Sequence, residues 1–589
     1  MHPPRDTTTT TRALWSTTAL LVLLQIGSRA FSFGLNQLLL RSTTPHAFGV
    51  ATIQFDTVRD TVLFASREGI RGAIVRNRGT ERTSNRTTSG DDDGDVERQT
   101  RLIPVLLSPL VPLAFYLFHM FVVSRSSSSS SDKGGGGYTA TLGLYAVSTV
   151  VELVAEPAYL LTLSRWETLT STRVRVEGFA VAAKAIATLA ALNLFDQRPT
   201  LEAYGWGQVA YAVTVLVGLE SSLRRRRRHS SSRSLSVWAK IRKLSTKDDD
   251  RYFDRDVTRF AWALTKQGLV KQVLTEGDKL AVAKFGRAED LGAYAVALNY
   301  GSLVARIVFQ PLEESSRLYF SSQAATTEAT TRRQRSSIAR HLSRVLEFYS
   351  HLTLVLTLLV PPYVAPVLSV LLGPQWSRTT ARVLVWYVYS LPFLAVNGIL
   401  EACVASVADE RTLKWTSWWF ALCTVAFAST VYVTMSSSSS SSSGSGWGSR
   451  GIILGNCVNM SMRIAFSSVF LSRYLTNTTD EVKEDQDKGD ERTIEGKKEE
   501  DDALLHPTRW LPSVSTVVAF LIANQVCRQS EQTWTTTGRS DLRSLAVHVA
   551  IGAVVGTGCL GVIAISKRSE LRTLMASSRR WQEEKSKED

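Results

Sequence analysis

Apolar residues gather into runs of roughly 20, long enough to cross about 30 Å of hydrocarbon, with polar stretches between them. The first half of the chain carries such runs at Leu14–Leu40, Gly49–Val75, Leu102–Val123, Tyr138–Leu163, Arg173–Phe195 and Tyr204–Leu223. Two more lie within Leu264–Phe320, followed by Leu346–Leu372, Val383–Val407, Trp415–Met435, Gly451–Leu471, Trp510–Val526 and Leu545–Ile565. That pattern predicts an all-α polytopic membrane protein of about 14 transmembrane helices, because backbone polar groups in hydrocarbon must be satisfied within the segment. The boundaries predict a six-helix lobe over 1–223, a basic linker over 224–257 and a second six-helix lobe over 258–472. A charged loop over 473–508, two extra helices over 509–566 and a charged tail over 567–589 complete the chain. Pseudo-symmetric lobes of this kind are a common build for transporters, although no residue-level repeat is evident. Leu14–Leu40, preceded by Arg5 and Arg12, has some marks of a secretory signal peptide, but its apolar character outruns the length of such a segment.

Several runs carry charges at helical spacing. Around Leu264–Phe320, a helical winding puts Gln267, Lys271, Gln272, Thr275, Glu276, Asp278 and Lys279 on one half of the first helix. Asn299, Ser302, Arg306, Gln310 and Glu313 make a narrower stripe on the second. Gln25, Arg29, Ser32 and Asn36 recur likewise in the first run, and Asp56, Asp60, Arg67 and Arg71 share a face of the second with Glu68 beside them. Glu152 and Glu156 stand one turn apart near Pro157, as do Asn397 and Glu401, while Asn456, Asn459 and Arg463 share a face. A charge at mid-bilayer costs at least about 2.5–3.5 kcal/mol, so these stripes are expected to face a polar cavity or one another. An amphipathic helix pair on a soluble domain or a membrane surface is the alternative for Leu264–Phe320 taken alone.

Composition changes the picture little: 44% of the 589 residues are hydrophobic and 21% charged, an average that hides their segregation into spans and loops. Lys and Arg concentrate in the loops that share a side with the N-terminus, which predicts cytosolic termini by the positive-inside rule. That topology leaves the sequons at Asn85 and Asn477 in the cytosol and unmodified. The arginine run Arg224–Arg228 has no interleaved aromatics and is read as an orientation signal, with no nucleic-acid partner. The five cysteines fall in or beside apolar runs, which argues against a disulfide framework or a zinc site. No phosphate-cradling glycine loop, nucleophilic triad or cofactor motif is present, so no enzymatic activity and no cofactor are expected. The serine tracts at 126–131 and 436–443 read as flexible insertions.

The order of several motifs carries a resemblance. SREGIR at Ser66–Arg71, VVELVAEP at Val150–Pro157, KQVLTEGDK at Lys271–Lys279 and NYGSLVARIVFQPLEES at Asn299–Ser315 resemble the Rft family. NGILEA at Asn397–Ala402 and GNCVNMSMRI at Gly455–Ile464 extend the likeness over nearly the whole chain. The resemblance implies a multi-pass protein of the endoplasmic reticulum membrane that moves Man5GlcNAc2-diphosphate-dolichol from the cytosolic to the lumenal leaflet for N-glycosylation. It also implies similarity to a superfamily of multidrug exporters and lipid II flippases with two six-helix lobes. The match weakens in the third, eleventh and thirteenth runs.

Within that resemblance, Arg29, Arg67, Arg71, Lys271, Lys279 and Arg306 are candidates to pair with the diphosphate, since guanidinium and ammonium groups form charge-assisted bonds to phosphate oxygens. Glu68, Glu152, Glu156, Glu276, Asp278, Glu313 and Glu401 are candidates to hold those bases, accept sugar hydroxyls or exchange a coupling ion. The expected partners are the glycolipid and membrane lipid. Two other readings stay open: a non-transporting scaffold or glycolipid chaperone of the same pathway, and an ion-coupled exporter of small cations, against which the surplus of intramembrane bases weighs.

Overall fold

The computed structural model describes residues 34–83, 103–123, 136–164, 166–194, 200–229, 255–285, 288–324, 332–373, 376, 378–440, 447–476, 510–537 and 542–568. All regular structure among the described residues is helical, and nine helices there are long and apolar enough to cross a membrane by length and composition. The chain is a multi-pass membrane protein, and it divides into two compact units, Met1–Gly292 and Ala293–Asp589.

In the first unit, residues 34–42 form α1. Next comes α2, built of Pro45–Gly49, a π-helical turn at Val50–Phe55 and the long segment Asp56–Thr83. It starts where the sequence supplies a cap: the Thr44 hydroxyl accepts from the Ala47 N–H at 3.3 Å, and Pro45 fills a first-turn position that needs no donor. Then follow α3 (Ile103–Leu106, a 3-10 turn Ser108–Leu110 and Val111–Val123), α4 (Gly136–Ser164), α5 (Trp166–Leu194), α6 (Thr200–His229) and α7 (Arg255–Phe285). α6 packs on α4 and α5, α2 packs on α4, and α7 lies along α2. The last pairing places α7, which the sequence reading puts at the head of the second lobe, in the first unit. Its reason is visible at Gly69, where a Cβ would overlap the Ala261 carbonyl and the Thr265 hydroxyl, so the two helices touch backbone to backbone.

Neither α2 nor α7 is among the nine apolar spans, because both carry many charges, and it is these two that pair with one another. α4 runs unbroken through Pro157. Its hydroxyls return to their own backbone: Ser148 and Thr149 donate to the Tyr145 carbonyl at 2.8 and 2.7 Å, which spares them a partner in the apolar interior. Above them, Phe55 lies between the rings of Tyr138 and Tyr145, with centroids 5.0 and 5.2 Å away.

The second unit takes most of α8, which runs through Ala288–Val304, a π turn at Ala305–Phe309 and Gln310–Ala324. α9 joins Arg332–Leu354, a π turn at Val355–Leu359 and Pro361–Leu372, and stops at Gly373, whose φ of 87° suits a residue without a Cβ. α10 (Arg378–Val407), α11 (Glu410–Ser440) and α12 (Gly448–Thr476) follow, with α10 packed on α8, α9 and α12. The core between α8, α9 and α10 is apolar, centred on Phe309, Leu342, Leu346, Leu391 and Ile399. α13 (Val514–Thr537) and α14 (Leu542–Ser566) pair with one another, and α13 rests on α9. Tyr363 of α9 stacks on His548 of α14 at 4.4 Å, and Lys567 pairs with Glu347. Only 6% of the most apolar stretch of α14 is buried by protein, so most of its surface is left to lipid.

Candidate functional site

The charged stripe of α2 meets the two glutamates of α4. Glu152 and Glu156 are 5% and 2% exposed, and one helical turn stacks them on the same face. Arg59 donates from Nε to Glu152 at 2.9 Å and also reaches Asp60 at 2.8 Å. Gln208 of α6 donates to the same Glu152 oxygen at 3.2 Å. One turn along, Arg71 grips Glu156 through two parallel bonds of 2.5 and 2.8 Å, and its guanidinium lies over the Tyr159 ring at 4.0 Å. Asp56 pairs with Lys184 of α5 at 3.5 Å. Four cations, Arg59, Arg67, Arg71 and Lys184, therefore stand against four carboxylates, Asp56, Asp60, Glu152 and Glu156.

Arg67 is held differently from the other two arginines. It sits between the glutamates, 3.7 Å from Glu152 and 3.8 Å from Glu156, and makes no hydrogen bond among the described residues. Its side chain is 25% exposed. Both glutamates are already committed to Arg59 and Arg71, so the attraction orients Arg67 while leaving its fork of N–H donors unspent.

The other residues of the sequence reading fall in several places. Glu68 is exposed on α2. On α7, Glu276 and Lys279 pair with each other one turn apart at 2.7 Å, and the Asp278 carboxylate accepts from the Lys279 N–H. Lys271 lies on the same helix with its side chain outside the described residues, and Arg29 lies outside them altogether. On α8, Arg306 folds back on its own helix and donates to the Asn299 carbonyl at 3.2 Å and the Ser302 hydroxyl at 2.8 Å. Glu313 does not share that exposed face. Its carboxylate lies against Gly398 of α10, where a Cβ would overlap it. Arg306 lies within the π turn at Ala305–Phe309 and Glu313 follows it, and the wider winding of such a turn rotates everything after it away from a plain helical stripe.

In the second unit, Glu401 of α10 and Arg463 of α12 form a bidentate pair at 2.5 and 2.6 Å, with Arg463 over the Phe420 ring at 4.3 Å. Sequence spacing marked both residues but gave no reason to join them across 62 positions. Arg59 and Gln208 went unmarked: Arg59 falls off the face traced by Asp56, Asp60, Arg67 and Arg71, and Gln208 is a lone amide in an apolar run.

Arginine–glutamate pairs between the helices of an all-helical fold, nine of whose described helices are long and apolar enough to cross a membrane, define a polytopic membrane protein with charged pairs inside it. Its fold matches the solved structure of the lipid II flippase MurJ in an inward closed conformation, with a TM-score of 0.56, 10% identity, and coverage of 93% of this chain and all of that one. The chain belongs to the Rft protein family, whose model matches residues 14–577. Among its relatives are the Man(5)GlcNAc(2)-PP-dolichol translocation proteins of Schizosaccharomyces pombe, 29% identical over 76% of this chain and 81% of that protein, and of Yarrowia lipolytica, 30% identical over 77% and 69%. The protein of the same name from Saccharomyces cerevisiae is 26% identical over 77% of this chain and 82% of its own length.

Proposed function

We propose that the chain is a glycolipid translocator that moves Man5GlcNAc2-diphosphate-dolichol from the cytosolic to the lumenal leaflet of the endoplasmic reticulum, as a transporter and not an enzyme. The names of its relatives and the flippase fold support the substrate class and the direction of the reading. About fourteen spans in two six-helix lobes with two extra helices, and both termini cytosolic, belong to the same proposal. Such a substrate joins a large sugar head and an anionic diphosphate to a long apolar tail. An unassisted flip drags unpaired polar groups through hydrocarbon, and a protein that offers those groups partners at membrane depth removes that barrier.

The observation that carries the reading to residues is the contrast among the three arginines of α2. Arg59 and Arg71 spend their donors on Glu152 and Glu156, whereas Arg67 is aimed by both glutamates and bonded to neither. Arg67 is thus the guanidinium we assign to the diphosphate, with Glu152, Glu156 and Arg71 as its positioning frame. Lys271 and Lys279 on α7 are further basic candidates, and Arg306, engaged with its own backbone, ranks behind them.

Exchange of a labelled Man5GlcNAc2-diphosphate-dolichol analogue between leaflets, followed in proteoliposomes, tests both levels. Wild-type protein is expected to speed exchange, and Arg67→Gln to slow it roughly ten- to a hundredfold, the equivalent of one charged hydrogen bond worth about 1.5–3 kcal/mol. Glycolipid exchange no faster with folded protein than without it would overturn the translocator reading in favour of a scaffold or glycolipid chaperone. Wild-type rates in Arg67→Gln would remove Arg67 from the site.

A further inference from the structure

Glu313 stands apart from the paired carboxylates of α2, α4, α7 and α10. It lies within the candidate span Asp290–Gln323, yet it makes no hydrogen bond and no ion pair among the described residues. Arg317, one turn along α8, and Glu401 act on it only at a distance, and Glu401 is committed to Arg463 by two bonds. An uncompensated carboxylate at membrane depth is costly enough that it demands a counter-charge.

Two buried oxygens on the helices packed against α8 have no partner among the described residues. The Tyr349 hydroxyl on α9 makes no hydrogen bond, although its residue is 1% exposed. Its ring meets Phe309, one turn before Glu313, edge to face at 5.4 Å, and its phenol lies within electrostatic reach of the Glu313 carboxylate. On α10, the Asn397 amide oxygen is likewise unbonded in a residue only 6% exposed. Asn397 is the neighbour of Gly398, on which the Glu313 carboxylate rests. Orphaned oxygens of this kind are rare in protein interiors, and here two of them lie on the two helices, α9 and α10, that pack against the helix of Glu313.

We propose that Glu313, Tyr349 and Asn397 form a binding site for a monovalent alkali cation. The donor set is all oxygen, which suits hard cations and not transition metals. One unpaired negative charge matches one positive charge, and a divalent ion would leave a net charge in the span. A proton on Glu313 would neutralise it but could satisfy at most one of the two orphaned oxygens, whereas a metal cation takes all three. Gly398 permits the arrangement, because only a residue without a Cβ leaves the carboxylate room beside α10. Water and backbone carbonyls complete the coordination shell. The site lies wholly within the second unit and does not depend on which lipid the protein moves.

Thermal unfolding of the full-length protein in detergent tests the proposal, with sodium chloride exchanged for choline chloride at constant ionic strength. Sodium is expected to raise the midpoint of the wild type saturably, as a ligand of the native state does. Glu313→Gln, nearly the same shape, is expected to abolish the rise, and Asn397→Ala to weaken the apparent affinity roughly ten- to a hundredfold. Tyr349→Phe keeps the ring against Phe309 and deletes only the orphaned hydroxyl. It is expected to unfold no earlier than wild type in choline, yet to need at least several-fold more sodium for the same rise. A midpoint indifferent to both sodium and potassium overturns the proposal. So does a sodium effect that survives Glu313→Gln, or stabilisation that appears only on acidification, which would assign the carboxylate to a proton.

Discussion

Arg71 and Glu156 hold each other through two parallel hydrogen bonds, Nε to Oε1 at 2.5 Å and Nη2 to Oε2 at 2.8 Å, across 85 positions of sequence. Tyr159, about one turn beyond Glu156 on α4, lies against the Arg71 guanidinium with its ring centroid 4.0 Å away. The second unit repeats the arrangement with Arg463, Glu401 and Phe420. Each pair clips two helices together through a geometry that only a planar fork can supply, which is why lysine is a poor substitute for either arginine.

Breaking the first clip from one side leaves a buried charge without its hydrogen-bonded partner. Arg71→Ala is expected to destabilise the protein by up to about 3–5 kcal/mol, because Glu156 keeps its charge, loses both hydrogen bonds and retains only Arg67 at 3.8 Å. Arg71→Met combined with Glu156→Leu is expected to recover most of that loss, since a buried pair is often no more stabilising than apolar residues of similar volume. Thermal unfolding of Arg71→Met, Glu156→Leu and the double variant in detergent measures the coupling. Independent, additive effects would mean that the pair contributes nothing to the α2–α4 junction.

Packing of α2 on α7 makes a second, purely steric prediction. Gly69→Leu puts a side chain where the Ala261 carbonyl and the Thr265 hydroxyl already stand, and overpacking of this order costs about 1–3 kcal/mol. Gly34, with nothing near its Cβ position, is the matched control. Cysteine cross-linking between α2 and α7 is expected to fall in Gly69→Leu and to stay at wild-type yield in Gly34→Leu.

Much of this architecture was legible in the chain because a membrane leaves few choices. Long apolar runs have to be helices, and the runs around Tyr138, Arg173, Leu346, Val383, Trp415, Gly451 and Leu545 coincide with apolar helices of the structure. Stripes of charge at helical spacing were legible too, since Asp56, Arg67 and Arg71 do share a polar side of α2. What spacing along one helix does not encode is the partner on another. Nothing local links Arg71 to Glu156 rather than to Glu68 beside it, and nothing local assigns α7 to the first unit. A constant helical period puts Asn299 and Glu313 on one stripe, and the π turn at Ala305–Phe309 breaks that period. Arg306 consequently faces outward while Glu313 turns to Gly398, a separation no fixed winding angle could reveal.

Outside the spans, Asp409 caps α11. Hydrogen bonds from the Thr412 side chain and from its N–H, at 3.0 Å, hold the Asp409 carboxyl below the usual carboxylate range. Because the folded value is depressed, the cap's support for the helix start is present above the unfolded value of about 3.9 and is lost as pH falls through the folded one. Amide exchange of residues 411–413 is expected to accelerate below about pH 4 in the wild type. Asp409→Ala is expected to show that faster exchange at neutral pH as well, and Asp409→Asn, which still offers an acceptor, to remove most of the pH dependence while keeping the protection.

Gly398 separates the cation site from the general stability of the second unit. A Cβ there meets the Glu313 carboxylate, which is the mobile end of a side chain and not backbone, so it can give way. Gly398→Ala is therefore expected to change the unfolding midpoint in choline only slightly, by less than the equivalent of about 1.5 kcal/mol, since alanine also favours the helix that glycine weakens. In sodium the same variant is expected to lose most of the stabilisation seen for the wild type, because the carboxylate it displaces is the charged ligand. The two titrations differ only in the cation, so a general packing defect would lower both midpoints together. Equal losses in sodium and choline would show that Gly398 serves helix packing alone and that Glu313 meets no cation beside it.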